Sequence, residues 1–189
     1  MPFTPIRAAA AVLFLTGAAL SQTARPAATG PLRPHPENGR YFARPDGAAV
    51  LLTGSHTWAT VQDVRAKGDA AFDYDAFLAM CEKHGHNFIR LWHWEHAELA
   101  GWTQDYIRFD PLPYARTGPG QALDGQPKFD LDRWNEPYFE RLRERIAKAR
   151  DRGFYVSVML FQGWSLKKTG GPGGDPFLSH PYHGPNNIQ

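Results

Sequence analysis

Three short apolar runs in this chain each end in a cluster of aromatic and polar side chains, and stretches of helical period separate them. Residues 49–54 lead into Ser55-His56-Thr57-Trp58, residues 87–91 into Trp92-His93-Trp94-Glu95, and residues 155–161 into Gln162-Gly163-Trp164-Ser165. The order β-loop-α-β-loop-α-β predicts parallel strands joined by right-handed crossovers. Parallel strands carry their C-terminal ends to one face, which is where α/β folds bind ligands. The three tryptophan-bearing ends are therefore expected to form one site.

The segments around these runs carry their own signals. Arg44-Pro45-Asp46-Gly47 sits between Tyr41-Phe42-Ala43 and residues 48–52, and Asp-Gly between apolar runs predicts a hairpin whose second arm continues into the first parallel strand. Asp73 is placed to cap a helix with Phe77, Leu78 and Cys81 on one face and Gly85 past its end. A second helix, starting between Asp132 and Pro137, is expected to bury Phe139, Leu142, Ile146 and Ala149. Arg141, Arg143, Glu144, Arg145 and Lys148 are expected on its solvent face, with Gly153 at its end. Residues 154–161 are nearly continuous in β-branched and aromatic side chains, the pattern of a strand buried on both faces. The connections 93–130 and 165–189 are long and rich in Pro and Gly. Structureless loops beyond about 12–15 residues are usually functional or disordered.

Composition bounds the compartment and the partners. Residues 1–7 are short and positive, residues 8–20 are apolar, and Ala19-Leu20-Ser21 offers small residues for cleavage, so residues 1–21 read as a secretory signal peptide. The apolar run is shorter than the roughly 20 residues that span a bilayer. A secreted or periplasmic protein is expected, without membrane attachment after cleavage. Residues 22–36, rich in Ala and Pro, read as a tether. The single cysteine, Cys81, cannot form an internal disulfide and reads as a small core residue. A formal charge of +2 with interspersed signs argues against nucleic acid or an anionic membrane as the principal partner. The aromatic content is high, with six Trp, seven Tyr and twelve Phe.

Three βα units do not close a barrel. A (β/α)8 barrel needs about 250 residues, so the 189-residue chain is expected to be the N-terminal part of a longer protein, with residues 37–189 as the barrel's first portion. The alternative is a small independent α/β domain.

The chemistry-bearing residues cluster at the strand ends. Alternation in residues 87–92 puts Phe88, Arg90 and Trp92 on one face and Ile89 and Leu91 on the other. If the latter pack on helices, Arg90 faces inward, where a guanidinium needs an anionic or carbonyl partner and orients a carboxylate or forms a structural ion pair. Glu95 is the carboxylate on the expected active face, placed to bind sugar hydroxyls or assist proton transfer. Trp58, Trp92, Trp94 and Trp164 offer indole faces for sugar rings, with His56, His93 and Gln162 beside them to bond hydroxyls. At least two of the four tryptophans are expected to bind sugar. His93-Trp94-Glu95-His96 lacks the helical histidine spacing of zinc sites, and no metal or cofactor is expected. His84 and His86 precede the second strand and read as structural. Asn135-Glu136-Pro137 opens a helix instead of ending a strand, so Glu136 is not read as catalytic.

Gly54-Ser55-His56-Thr57-Trp58, Asn87-Phe88-Ile89-Arg90-Leu91-Trp92, and Phe129-Asp130-Leu131 followed by Tyr138-Phe139-Glu140-Arg141-Leu142 together resemble the start of the apiosidase-like glycosidase family. The resemblance runs from about Arg33 to Gln189. It implies a secreted (β/α)8 glycoside hydrolase of a retaining clan, with an acid/base at the end of the fourth strand and a nucleophile at the end of the seventh. Retaining chemistry needs these carboxylates about 5–5.5 Å apart. By that resemblance the catalytic pair lies on strands beyond Gln189, and the chain itself supplies His56, Trp58, Arg90, Trp92, His93, Trp94, Glu95, Gln162 and Trp164 to the substrate cleft. A non-catalytic carbohydrate-binding protein and a metal-dependent barrel hydrolase are the alternatives.

Overall fold

The computed structural model describes residues 25–66, 68–98, 103–166 and 173–189; the expected signal peptide lies outside them. In chain order the elements are β1 (Arg33–Pro34), β2 (Phe42–Ala43), β3 (Ala49–Val50), β4 (Gly54–Ser55), β5 (Asp63–Ala66), α1 (Tyr74–Lys83), β6 (Phe88–Leu91), β7 (Ile107–Asp110), β8 (Tyr114–Ala115), β9 (Asp130–Trp134), α2 (Glu136–Asp151) and β10 (Tyr155–Val158). Single 3-10 turns follow at Gly163–Leu166, Pro176–Ser179 and Gly184–Asn186. The architecture is mixed α/β. Among the described residues no helix is long and apolar enough to cross a membrane.

The three predicted parallel strands form one sheet in the order β10-β6-β4, with Gly54 opposite Phe88 and Tyr155 opposite Phe88 on the other side. Gly54 is required at its position because a Cβ there would collide with the Phe88 carbonyl. Ile89 and Leu91 of β6 are fully buried against Leu78 and Cys81 of α1 and Ala149 of α2, in a cluster that also takes in Phe77, Tyr138 and Phe154. Burying each such aliphatic side chain contributes roughly 1.5–3 kcal/mol. Cys81 belongs to this core, where burial raises its thiol pKa. Asp73 caps α1 by accepting from Ala76 N at 2.8 Å, as the sequence implies.

The hairpin forms as expected, with Phe42 opposite Val50 and Asp46 Oδ1 accepting from Ala48 N at 3.0 Å. Its second arm does not run on as one strand. Residues 51–53 break it, and Leu51 is 76% exposed. Asn87 spans the break, its Oδ1 accepting from Thr53 N and its Nδ2 donating to Leu51 O, both at 2.9 Å. Part of the segment read as a tether is taken into the fold. β1 pairs with β2, Ala28 N donates to Arg150 O at 2.9 Å, and Arg25 bonds the His86 carbonyl while its guanidinium lies over the Phe154 ring.

Three expectations are corrected. The strand over 154–161 is limited to β10, which is half-buried, and Leu160 and Phe161 are exposed, because among the described residues helices cover only one face of the parallel sheet. Arg145 is not on the solvent face of α2. It is 7% exposed, donates to Ala59 O at 2.8 Å and lies over the Phe72 and Tyr74 rings, while Phe139, Leu142 and Ile146 are only half-buried. The connection after β6 is not structureless. It holds β7, which pairs with β5 in an antiparallel ribbon, and β8, which pairs with β9. Ile107 and Phe109 alternate with Arg108 and Asp110, a period-two signal that the neighbouring prolines obscure.

Candidate active site

The site lies where the chain leaves β6. Residues 92–95 follow it without regular secondary structure and without a strand partner. Two buried side chains take the place of a strand partner. Thr60 Oγ1 accepts from Trp92 N at 2.7 Å and donates to Arg90 O, while Gln62 accepts from Trp94 N at 2.6 Å and donates to Trp94 O at 2.8 Å. With the backbone so fixed, alternate side chains diverge.

Trp94 enters a second apolar cluster with Phe109, Leu112 and Phe129. It is 2% exposed, stacks on Phe109 with ring centroids 4.6 Å apart, and donates from Nε1 to Trp58 O at 2.8 Å. The expectation that it could serve as a sugar platform is corrected: it is a core residue.

His93 and Glu95 are buried as well. Glu95 Oε2 accepts from Gln162 N at 2.9 Å, which ties the end of β6 to the end of β10. Burial raises the Glu95 carboxyl pKa, and the Gln162 bond offsets part of that rise. His93 Nδ1 bonds the Tyr138 hydroxyl of α2 at 2.8 Å, and burial holds the imidazole down at about 4. The Tyr138 hydroxyl is raised, first by burial and then by the Glu95 charge. His180 adds a second neutral imidazole, held at about 4 by burial and then by His93. Its Nδ1 accepts from Tyr182 N at 3.0 Å, so the proton sits on Nε2. Tyr182 also shares a 2.8 Å hydroxyl bond with Tyr114, whose own ionisation burial suppresses.

The result is one carboxyl group, biased toward its protonated form, among neutral imidazoles and phenols. Such a group can exchange a proton or bond sugar hydroxyls. Among the described residues, Gln162 Nε2, Trp92 Nε1 and His180 Nε2 are buried donors without a protein acceptor. Unmet buried donors are costly in a folded protein and suit a polyhydroxylated ligand.

The remaining predicted residues form an outer layer. His56 stacks on Trp92 with centroids 5.7 Å apart and an interplanar angle of 15°. The Arg90 guanidinium lies 5.4 Å from the Trp92 ring. Ile89 and Leu91 do pack on the helices, but Arg90 is exposed, with a cation–π contact to Trp92 in place of the expected inward position beside an anionic or carbonyl partner. Trp58 is 46% exposed and presents an indole at the rim, and half-buried Trp164 packs near His96. Glu136 lies in the exposed first turn of α2, paired with Arg143, at the helix start that the sequence indicates. Among the described residues no three His, Cys, Asp or Glu converge in a way that could hold a metal ion.

Sequence reasoning missed Tyr138, Tyr114, His180 and Tyr182. Tyr138 reads as one more apolar position of an amphipathic helix, and the other three sit in segments without period. Thr60 and Gln62 are also missed, because side chains that imitate a strand leave no pattern.

No curated protein and no solved structure is significantly similar to the chain. A family model described as the apiosidase-like catalytic domain matches residues 36–179, which takes in the parallel sheet, both helices and Glu95 with His93, Tyr138 and Gln162, and the chain therefore belongs to the apiosidase-like family.

Proposed function

We propose that the protein is an exported glycoside hydrolase that cleaves O-glycosidic bonds in plant or microbial polysaccharide through a retaining, two-carboxylate reaction on a (β/α)8 barrel. The observation that carries this reading is the catalytic-domain match over residues 36–179. The parallel sheet supports it, since strands in sequence order with the site at their C-terminal ends are how such a barrel begins. The composition of residues 1–21 supports export.

In this reading the described residues form a wall of the substrate cleft. Trp58 stacks on a sugar ring, while Gln162 Nε2, Trp92 Nε1 and His180 Nε2 donate to hydroxyls or ring oxygens. Glu95, biased toward its protonated form, donates to a hydroxyl or accepts from one as charge develops. The acid/base and nucleophile that the family resemblance puts at fourth and seventh strand ends are not among the three strand ends described.

The test is digestion of plant and microbial polysaccharides by the intact protein, with proton NMR of the anomer first released. Sugar release with the anomeric configuration kept is expected, and inversion would remove the retaining mechanism. Binding without release would show a carbohydrate-binding protein, and activity lost to a chelator and restored by metal would show a metal-dependent hydrolase.

A further inference from the structure

Gln62 lies in the bend between β4 and β5 and is fully buried. Its chain neighbours fix it from both sides. Val61 joins the core cluster of Ile89 and Leu91, and the Asp63 carboxylate accepts from Phe72 N at 3.0 Å and from Arg141 Nη1 at 3.1 Å. The far end of the Gln62 side chain meets Trp94. Oε1 accepts from Trp94 N at 2.6 Å and Nε2 donates to Trp94 O at 2.8 Å, so one amide makes both bonds that a partner residue makes in an antiparallel ladder. The task calls for an amide of this reach. A carboxylate lacks the donor, asparagine stops one methylene short, and methionine fills the space with neither group.

Trp94 O belongs to the peptide unit that carries Glu95 N, and the two turn together as one plane. Packing on Phe109 and the indole bond to Trp58 O lock the Trp94 side chain, but a locked side chain leaves the next peptide plane free to turn. Residues 92–95 form no helix or strand, so that plane is held from outside the local chain, by Gln62 Nε2. Its direction decides where Glu95 reaches. Glu95 Oε2 accepts from Gln162 N at 2.9 Å, and Gln162 Oε1 accepts from Ser165 N at 3.0 Å, so the end of β6 holds the chain beyond β10. Hydrogen bonds weaken steeply with angle, and a turn at the root of Glu95 breaks this link.

We propose that Gln62 is a positioning residue for Glu95, whose amide aims the carboxylate at Gln162 N by holding the peptide unit between Trp94 and Glu95. Gln62 acts through the backbone and is itself closed off from solvent. The consequence for catalysis rests on the hydrolase reading, whereas the placement of Glu95 rests on the hydrogen bonds alone.

The test is nitrogen–proton NMR of the intact protein, with the Gln162 amide followed between pH 8 and pH 4.5. In wild type the amide resonance shifts as Glu95 takes its proton, a step identified by its absence in Glu95→Gln. Gln62→Met should cut that step by roughly half or more, and Gln62→Asn, which keeps an amide but not its reach, should do the same. Asn87→Ala, a destabilising change at a distance from Glu95, should leave the step intact. With polysaccharide as substrate, both Gln62 variants should lose about tenfold or more in kcat with KM within about twofold. An undiminished step in the two Gln62 variants would overturn the proposal, as would an equal loss in Asn87→Ala. A lost step with unchanged kcat would uphold the placement and refute its catalytic consequence. Because the NMR readout needs no substrate, a wild-type protein that cleaves nothing would refute the hydrolase reading alone.

Discussion

The pair of neutral buried histidines makes stability depend on pH in a calculable way. His93 and His180 are both held at about 4, against 6.5 for a free imidazole. Both stay neutral in the folded protein and take a proton when it unfolds, so the unfolded chain binds more protons below pH 6.5. Stability is therefore lost as pH falls from about 6.5 toward 4. For each histidine the loss is on the order of 1 kcal/mol at pH 5.5 and about 2–3 kcal/mol at pH 4.5, relative to pH 8. Together these approach the whole stability of an ordinary domain, about 5–15 kcal/mol. Glu95 acts in the opposite sense. Its raised pKa means the folded state keeps a proton that the unfolded state releases, so its contribution improves on acidification. That contribution is common to wild type and a His93→Gln variant, in which the glutamine oxygen can still accept from Tyr138. Urea unfolding followed by tryptophan fluorescence at pH 7.5, 5.5 and 4.5 should show the variant losing about 2–3 kcal/mol less than wild type by pH 4.5. Relief of the repulsion on His180 adds in the same direction. Parallel pH profiles for the two proteins would show that His93 is not held neutral by burial.

Three further outcomes follow from individual contacts. Tyr138→Phe leaves buried His93 Nδ1 without its hydrogen-bond partner and should cost about 1–3 kcal/mol in urea unfolding. Asn87→Ala removes two bonds across the break between β3 and β4 at a half-exposed site, and a loss of about 1–2 kcal/mol is expected from the same measurement. Glu95→Gln should abolish or sharply reduce polysaccharide hydrolysis while far-ultraviolet circular dichroism stays unchanged, and undiminished turnover would remove Glu95 from the cleft.

What was legible in the sequence depended on period and punctuation. Ile89 and Leu91 alternate with Phe88 and Arg90, and Asp73 and Gly85 bracket α1, so the parallel sheet and its first covering helix were readable. The Glu95 carboxylate was readable because it follows a strand. Its environment was readable only in part: His93 and Gln162 were placed with it at strand ends, but Tyr138 comes from α2 and His180 from the residue after a 3-10 turn, and their convergence is a tertiary fact. Trp94 was misread for a related reason. Indoles at strand ends suit either a ligand or a neighbouring cluster, and only the placement of Phe109 decides between them. Arg145 shows the same limit, since a helix side that reads as charged can pack through guanidinium on rings.

The side chains of Asn186 and Asn187 bond backbone groups at Leu123, Leu178, His180, Pro181 and His183, and Ser179 bonds the backbone of Glu98. Residues 176–187 are thereby braced internally by amides and joined to neighbouring loops at single points, at Leu123 by the Asn186 amide, at Glu98 by the Ser179 hydroxyl and at Phe129 by an isolated bridge with Asn187. Loops joined in this way vary together. Selection for a new sugar would have to replace this wall as a cassette, since altering one loop would leave buried amides of the others without partners.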